Sequence, residues 1–162
     1  MAKARPVPGL SPDTRFAAAA AAAVRVRAAE VFGFADRALD IADIEGVHDM
    51  RVATRRLRAA LEVFAPCFPS TEHAEALGEV KRLADVLGQR RDPDVAIEAL
   101  ESFKAGLALP DRPGVAGLVA ELREQQDAAN ETVAAELARV RERRLPERLQ
   151  GLADTARGEA AA

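Results

Sequence analysis

Apolar residues recur at intervals of three and four between positions 47 and 64, and this spacing constrains the fold more than any other feature of the chain. An α-helix turns through about 100° per residue, so residues with this spacing share one face. The residues of this face, which we call the seam, are Val47, Met50, Thr54, Leu57, Leu61 and Phe64. The pattern predicts an amphipathic helix that packs its seam against a protein core.

The same segment carries a second stripe, which is basic. Its four residues, which we call the cationic stripe, each follow a seam residue by one position: His48, Arg51, Arg55 and Arg58. The helix turns them roughly 110° away from the seam, and Arg56 lies on a third side. No acidic residue enters the stripe before Glu62, although the chain has a formal net charge of −3. Such a stripe in an acidic chain indicates a polyanionic partner, phosphate above all, while many charge runs are only solvated helix faces.

The composition favours an all-α protein. Hydrophobic residues make up 49% of the chain and charged residues 30%, and the strong helix formers alanine, leucine, arginine and glutamate dominate. No alternation of polar and apolar residues indicates a strand. We therefore predict an antiparallel helical bundle of about five to six helices with a long first helix. We expect one domain at 13–158, preceded by a flexible leader at 1–12 and followed by a disordered tail at 159–162.

Prolines, glycines and capping residues predict where the helices begin and end. Ser11 and Pro12 start a first helix that runs to about Ile44, and Gly46 breaks it. The seam segment forms the second helix and ends at Pro66. The later predictions are a third helix capped by Ser70 or Thr71, a fourth from Asp92 and Pro93, a loop at 109–114, a fifth helix from about Val115 to Arg143, and a short helix from Pro146 to about Arg157.

Several classes of function are not expected. No segment approaches the ~20 apolar residues of a membrane span, and Cys67 is the only cysteine, so we expect a cytoplasmic protein. Glu45 and His48 have the Glu-x-x-His spacing of di-iron bundles, but the second copy of that pair is missing, so we expect no metal. Without a glycine-rich phosphate loop or clustered catalytic carboxylates, we expect neither a cofactor nor catalysis. Without tryptophan or tyrosine for base stacking, we do not expect nucleic acid.

Two motifs resemble those of the CHAD family, the histidine-bearing α-helical domain. The first is Val47-His48-Asp49-Met50-Arg51-Val52 followed by Arg55-Arg56-Leu57-Arg58. The second is Leu87-Gly88-Gln89-Arg90-Arg91-Asp92-Pro93-Asp94-Val95, with a Leu-Gly pair, a spacer, Arg-Asp and Asp-Val. The similarity covers residues 14–108, and two motifs in the right order form a specific signal.

The resemblance implies an all-helical domain whose basic residues line a groove and bind inorganic polyphosphate, with association to polyphosphate granules. The residues that it implies for binding are His48, Arg51, Arg55, Arg58 and Arg91, with Arg56, Lys81 and Arg90 in second rank. Arg25 is added only because it follows an apolar residue of the first helix by one position.

Members of this family usually carry two related bundle halves around one basic channel, and the motifs here match only the first half. We therefore expect two copies to associate as a homodimer that completes the channel by two-fold symmetry. The alternative function is a helical adaptor that binds an acidic protein or a nucleic acid through the same cationic stripe.

Overall fold

The computed structural model describes residues 3–156 and is built from helices. No strand occurs in this part of the chain, so the all-α prediction is confirmed. Two short 3₁₀ turns join helices at Ala65–Cys67 and Leu109–Asp111. The six α-helices are α1 (Phe16–Gly33), α2 (Ala35–Leu39), α3 (Ile44–Val63), α4 (Ser70–Ala105), α5 (Arg112–Glu142) and α6 (Leu145–Asp154).

The seam of α3 forms the centre of the core. Five of its six residues are fully buried, and Phe64 is half-buried against the same cluster. α3 packs against α1 on one side and α4 on the other, and α6 closes the bundle against α1. Because the apolar face of α3 points inward, Arg51, Arg55 and Arg58 of the cationic stripe are left exposed, while His48 is half-buried.

The long first helix was predicted wrongly at both ends. Ser11 does not cap a helix, since its hydroxyl lies 3.2 Å from the Thr14 hydroxyl and α1 begins only at Phe16. α1 ends at Gly33, the chain turns at Phe34, and the five-residue α2 follows. Residues 3–15 contain no helix, while the flexibility of the leader stays a prediction.

Gly46 is a point of close approach, and its predicted role as a helix breaker was wrong. It lies in the first turn of α3, where Asp43 caps the helix by accepting a hydrogen bond from the Gly46 N–H at 3.1 Å. A Cβ at this position would lie 2.2 Å from the carbonyl oxygen of Arg37 in α2. Glycine is required because the backbones of α2 and α3 nearly touch here.

α4 runs without a break through the predicted start of a fourth helix at Asp92 and Pro93. It has 36 residues, a length of about 54 Å, and Pro93 is buried inside it. Proline in a helix interior removes one backbone hydrogen bond. Arg90 and Asp94 form an ion pair that spans this position, so side chains hold together the turn that proline weakens.

The C-terminal part of α4 and the N-terminal part of α5 form a two-helix arm over residues 95–125. α4 has no buried residue beyond Asp94, and the arm's part of α5 has only Val119 buried. α5 begins at Arg112, so the loop predicted at 109–114 is shorter than expected. Pro146 lies in the first turn of α6, and the break before it occurs at Arg144, which adopts a left-handed conformation with φ 54°.

α6 ends at Asp154. The end predicted at Arg157 and the tail predicted at 159–162 lie outside the described residues.

Candidate anion-binding groove

The structure gathers three arginines of the cationic stripe into one groove between α3 and α4. Arg51, Arg55 and Arg58 form one wall, Ala84 and Asp85 of α4 form the other, and the cavity measures about 180 Å³. The three arginines are exposed, and each follows a fully buried seam residue of α3. Because the Ala84 side chain is small, α4 does not cover the guanidinium groups of the three arginines, which stay accessible to solvent.

Arg51 and Arg55 have no ion-pair partner within 4.0 Å in the described part of the chain, and unlike Arg15 and Arg144, which also have none, they line the same groove. Most arginines between positions 139 and 148 are paired with acidic residues. Arg143 and Arg148, for example, both donate to the buried Glu79, at 3.2 and 2.6 Å. Two adjacent arginines without a counter-ion create a site of positive potential on an otherwise acidic protein.

Glu62 closes one end of the groove and brings Lys81 to it. Arg58 donates a hydrogen bond from Nε to Glu62 Oε1 at 2.9 Å, and Lys81 Nζ lies 3.5 Å from the same oxygen. The hydrogen bond from Arg58, aided by the charges of Arg58 and Lys81, lowers the pKa of Glu62 below its ordinary value. Glu62 therefore competes with any anionic ligand for these two cations.

Arg91 and His48 are not among the residues that line the groove. α3 and α4 are joined by the short segment 64–69 and pack side by side, so they run antiparallel. Lys81 of α4 lies beside Glu62 of α3, so Arg91, which is ten residues further along α4, lies about level with Val52 of α3. His48 is half-buried in the first turns of α3, four residues beyond Val52.

Arg90 was predicted as a second-rank ligand, but the structure places it in the interior. Its side chain is 0% exposed and pairs with Asp94, which is also fully buried. Gln126 of α5 donates to Asp94 at 2.5 Å, and Arg90 donates from Nε to Asn130 at 3.2 Å. Asn130 in turn donates to the carbonyl of Leu39 at 3.2 Å, so this network joins α4, α5 and α2. In this structure Arg90 holds helices together and does not reach the groove.

Sequence reasoning missed this network, although a signal for it was present. The buried residues of α4 recur at intervals of three and four: Val80, Leu83, Leu87, Arg90 and Asp94. Continuing the apolar periodicity past Leu87 would have assigned Arg90 to the core in spite of its charge.

Arg91 extends this interior network toward the surface. Its side chain is 14% exposed, and its Nη1 lies 3.7 Å from Asp94 Oδ2 without a hydrogen-bond partner in the described residues. Two guanidinium groups thus share the single carboxylate of Asp94, which leaves one positive charge of the network unneutralised. Since Nη1 is shielded from solvent, an anion at the surface would meet only the exposed part of the Arg91 guanidinium.

His48 lies in a small group of possible metal ligands. Donor atoms of Glu45, His48 and Asp49 all lie within 4.8 Å of one another, and Asp49 is the member that the sequence pattern missed. Arg37 Nη1 lies 3.4 Å from Asp49 Oδ2, so a guanidinium already occupies part of the position that a cation would take. The absence of a metal stays a prediction.

The structure does not bring Arg25 or Arg56 into the groove lining. Arg25 is paired with Asp154 of α6, and Arg56 is half-buried on another side of α3 with an interaction of its own. A larger cavity of about 290 Å³ lies between α4 and α6, but Glu72 and Glu75 contribute two carboxylates against the single cation Arg148. The groove between α3 and α4 is therefore the better anion site.

Comparison with known proteins agrees with the all-α fold. The CHAD domain family model matches residues 15–162. The relatives include two Mycobacterium tuberculosis proteins, Rv2226 of strain H37Rv and MT2285 of strain CDC 1551, both described as uncharacterized. They are 42% and 40% identical over 60 residues, which is 37% of this chain. The chain spans only 12% of the length of these relatives, and no solved structure matches it.

The fold and the groove define an all-helical protein with a surface arginine site. The chain belongs to the CHAD domain family, which is linked to polyphosphate binding in general. Within residues 3–156, no helix has both the length and the apolar character that a membrane crossing requires.

Proposed function

We propose that this protein binds inorganic polyphosphate without enzymatic turnover, through the groove between α3 and α4. The observation that carries the proposal is the pair Arg51 and Arg55, exposed at the groove without an ion-pair partner in the described chain. Arginine suits this task because its planar guanidinium donates two parallel hydrogen bonds to one phosphate and stays charged at cellular pH.

The spacing of the arginines matches a linear phosphate polymer. Side chains three and four residues apart on a helix lie about 5–6 Å from one another, which is about twice the distance between neighbouring phosphorus atoms of a phosphate chain. Roughly every second phosphate would therefore meet one of Arg51, Arg55 and Arg58. Polyphosphate has no bases to stack, so a groove with no aromatic residue in its lining suits it better than it suits a nucleic acid.

The other cations take graded roles in this proposal. Arg58 and Lys81 join once the polymer displaces them from Glu62, and His48 and Arg91 extend the contact to the far end. His48 donates a hydrogen bond to phosphate from its imidazole ring. Arg90, Arg56 and Arg25 are left out of the proposed contact because of their burial or their existing partners.

Replacement of the two unpaired arginines tests the proposal. The double variant Arg51→Gln/Arg55→Gln should weaken long-chain polyphosphate binding by about 10–100-fold, because it removes two charge-assisted contacts. The double variant Arg123→Gln/Arg141→Gln is the matched control, since both of those arginines are exposed and lie outside the groove. An equal loss of polyphosphate affinity in both double variants would show that only the net charge of the protein matters. No loss of affinity in either variant would contradict binding in the groove.

A competition experiment separates polyphosphate from the adaptor function. DNA of equal total charge should displace bound polyphosphate poorly, because a wide, stiff duplex enters a groove of about 180 Å³ less easily than a flexible single phosphate chain does. If DNA or an acidic peptide displaced polyphosphate easily, the stripe would be a general polyanion surface and the adaptor function would be favoured.

We further propose that two copies clasp one polymer and so complete a channel as a homodimer. Two grooves that face each other carry like charges, so the polymer between them would have to neutralise both. Sedimentation with long-chain polyphosphate should therefore show two protein copies on each polymer segment. A complex that stays at one copy at micromolar protein, with tight binding retained, would contradict the homodimer. Such an activity would place the protein in the cytoplasm at polyphosphate granules.

A further inference from the structure

The outer face of α5 carries an acidic stripe that takes no part in the groove between α3 and α4. Its residues are spaced by three, three and four, which puts them on one side of the helix: Glu121, Glu124, Asp127 and Glu131. All four are exposed, and none has an ion-pair partner within residues 3–156. The residues of α5 buried on the opposite side are Val119, Gln126 and Val133. The acidic stripe therefore points away from the body of the protein.

The acidic stripe has the same length and a similar residue spacing as the cationic stripe, and the opposite charge. Glu121 to Glu131 spans ten residues, or about 15 Å of helix, and His48 to Arg58 spans the same distance. Within each stripe, like charges three and four residues apart repel one another and destabilise their own helix. Each stripe is therefore stabilised by a neighbour of opposite charge that follows the same period.

The two stripes are separated within one molecule by α4, which packs against both α3 and α5. Asp85, which lines the groove, and Lys81, which contacts Glu62 of α3, lie on roughly the opposite side of α4 from Arg90 and Asp94, which contact α5. The acidic stripe thus faces away from its own groove, and a second molecule is needed to bring the two together.

The outer face of α5 is also low enough for a groove to receive it. Gly117, Ala120, Ala128 and Ala135 flank the acidic residues, and all four are exposed. Small residues let another helix approach closely, while the carboxylates reach outward to the guanidinium groups. Asp85 is the one acid in the groove lining, so the contact would fall on the α3 side, over Arg51 and Arg55.

We propose that, in the absence of polyphosphate, the acidic stripe of α5 docks into the cationic groove of a second copy of this chain. The contact is head-to-tail, because it joins two different surfaces. Exposed ion pairs are individually weak, so the dissociation constant is in the range of about 0.1–1 mM and rises steeply with salt. Polyphosphate competes for the same arginines, so this part of the inference rests on the proposed function.

Complementation between two variants tests the docking. One variant neutralises the acidic stripe (Glu121→Gln, Glu124→Gln, Asp127→Asn, Glu131→Gln), and the other neutralises the groove (Arg51→Gln, Arg55→Gln). Each alone should sediment as the 17.3 kDa monomer, while an equal mixture should form a closed 1:1 heterodimer, since one intact stripe meets one intact groove. The wild type should associate at about 50 mM salt and dissociate at about 0.5 M salt.

Three results would overturn the docking. The mixture of variants could stay monomeric, either variant could associate as the wild type does, or the wild type could be monomeric at about 1 mM in low salt. Circular dichroism checks that both variants keep their helices. Short-chain polyphosphate gives the separate readout: the acidic-stripe variant should bind it at least as tightly as the wild type. Complementation without polyphosphate binding would refute the proposed function alone, and polyphosphate binding without complementation would refute the docking alone.

Discussion

Substitution of Gly46 by alanine tests the packing that positions the start of the cationic stripe. The new Cβ would lie 2.2 Å from the carbonyl oxygen and 2.5 Å from the carbonyl carbon of Arg37. Both atoms belong to the backbone of α2, so the clash can be removed only if one helix moves by about 1 Å. A clash with a side chain could instead be removed by rotation of that side chain. Overpacking of this kind costs about 1–3 kcal/mol or more, and a backbone neighbour puts this site at the upper end.

The gain in helix propensity opposes that cost and fixes the net expectation. Alanine stabilises a helix interior by about 1 kcal/mol relative to glycine, so Gly46→Ala should destabilise the protein by about 2 kcal/mol. For a domain of this size, that lowers the melting temperature by about 4–8 °C. Gly78→Ala is the matched control, because Gly78 is exposed inside α4 and a Cβ there meets nothing within 4 Å. The control should raise stability by about 0.5–1 kcal/mol.

Thermal and urea unfolding followed by circular dichroism measure both variants. If Gly46→Ala were as stable as Gly78→Ala, α2 would not lie against the first turn of α3, and the packing described here would be wrong. The urea slope should stay unchanged in both variants, because neither alters the surface exposed on unfolding.

Three further predictions concern Glu62 beside the groove and Asp94 in the buried network. Glu62→Gln should tighten polyphosphate binding by about 2–5-fold in a titration, because it releases Arg58 and Lys81 from the carboxylate. Unchanged or weaker binding would mean that these two cations take no part in binding. In the wild type, polyphosphate should raise the lowered pKa of Glu62 toward its ordinary value of 4.5. Binding therefore takes up a proton at Glu62, and the affinity increases as pH falls through that range. Carboxyl NMR can follow the pKa of Glu62 with and without polyphosphate. Asp94→Asn should destabilise the fold by about 3–5 kcal/mol in urea unfolding, because it leaves the buried Arg90 without a counter-charge, and a stable variant would refute the network.

The sequence predicted the features that depend on helical period. The seam of α3 is buried, because the spacing of apolar residues decides which side of a helix faces the core. Arg51, Arg55 and Arg58 are exposed beside it and line one cavity, and Lys81 lies next to Glu62. That polyphosphate binds these residues stays a prediction.

The errors arose where long-range contacts override a local signal. Asp92 and Pro93 have the local pattern of a helix start, but the contacts of Asp94 with α5 keep α4 continuous through them. Gly46 has the local pattern of a helix end, while its real role is set by Arg37 on a neighbouring element. Arg90 was assigned to the groove from its charge and motif, and only the positions of α5 and α2 explain its burial.

The salt dependence of polyphosphate binding tests the central claim most directly, because it counts the cations that the polymer neutralises. With four or five cations in the groove, the logarithm of the binding constant should fall with the logarithm of salt concentration at a slope of about −3. In Arg51→Gln/Arg55→Gln, the slope should become shallower by about 1.4, which corresponds to two lost phosphate contacts. A variant with the same slope and affinity as the wild type would show that polyphosphate does not bind in the groove between α3 and α4.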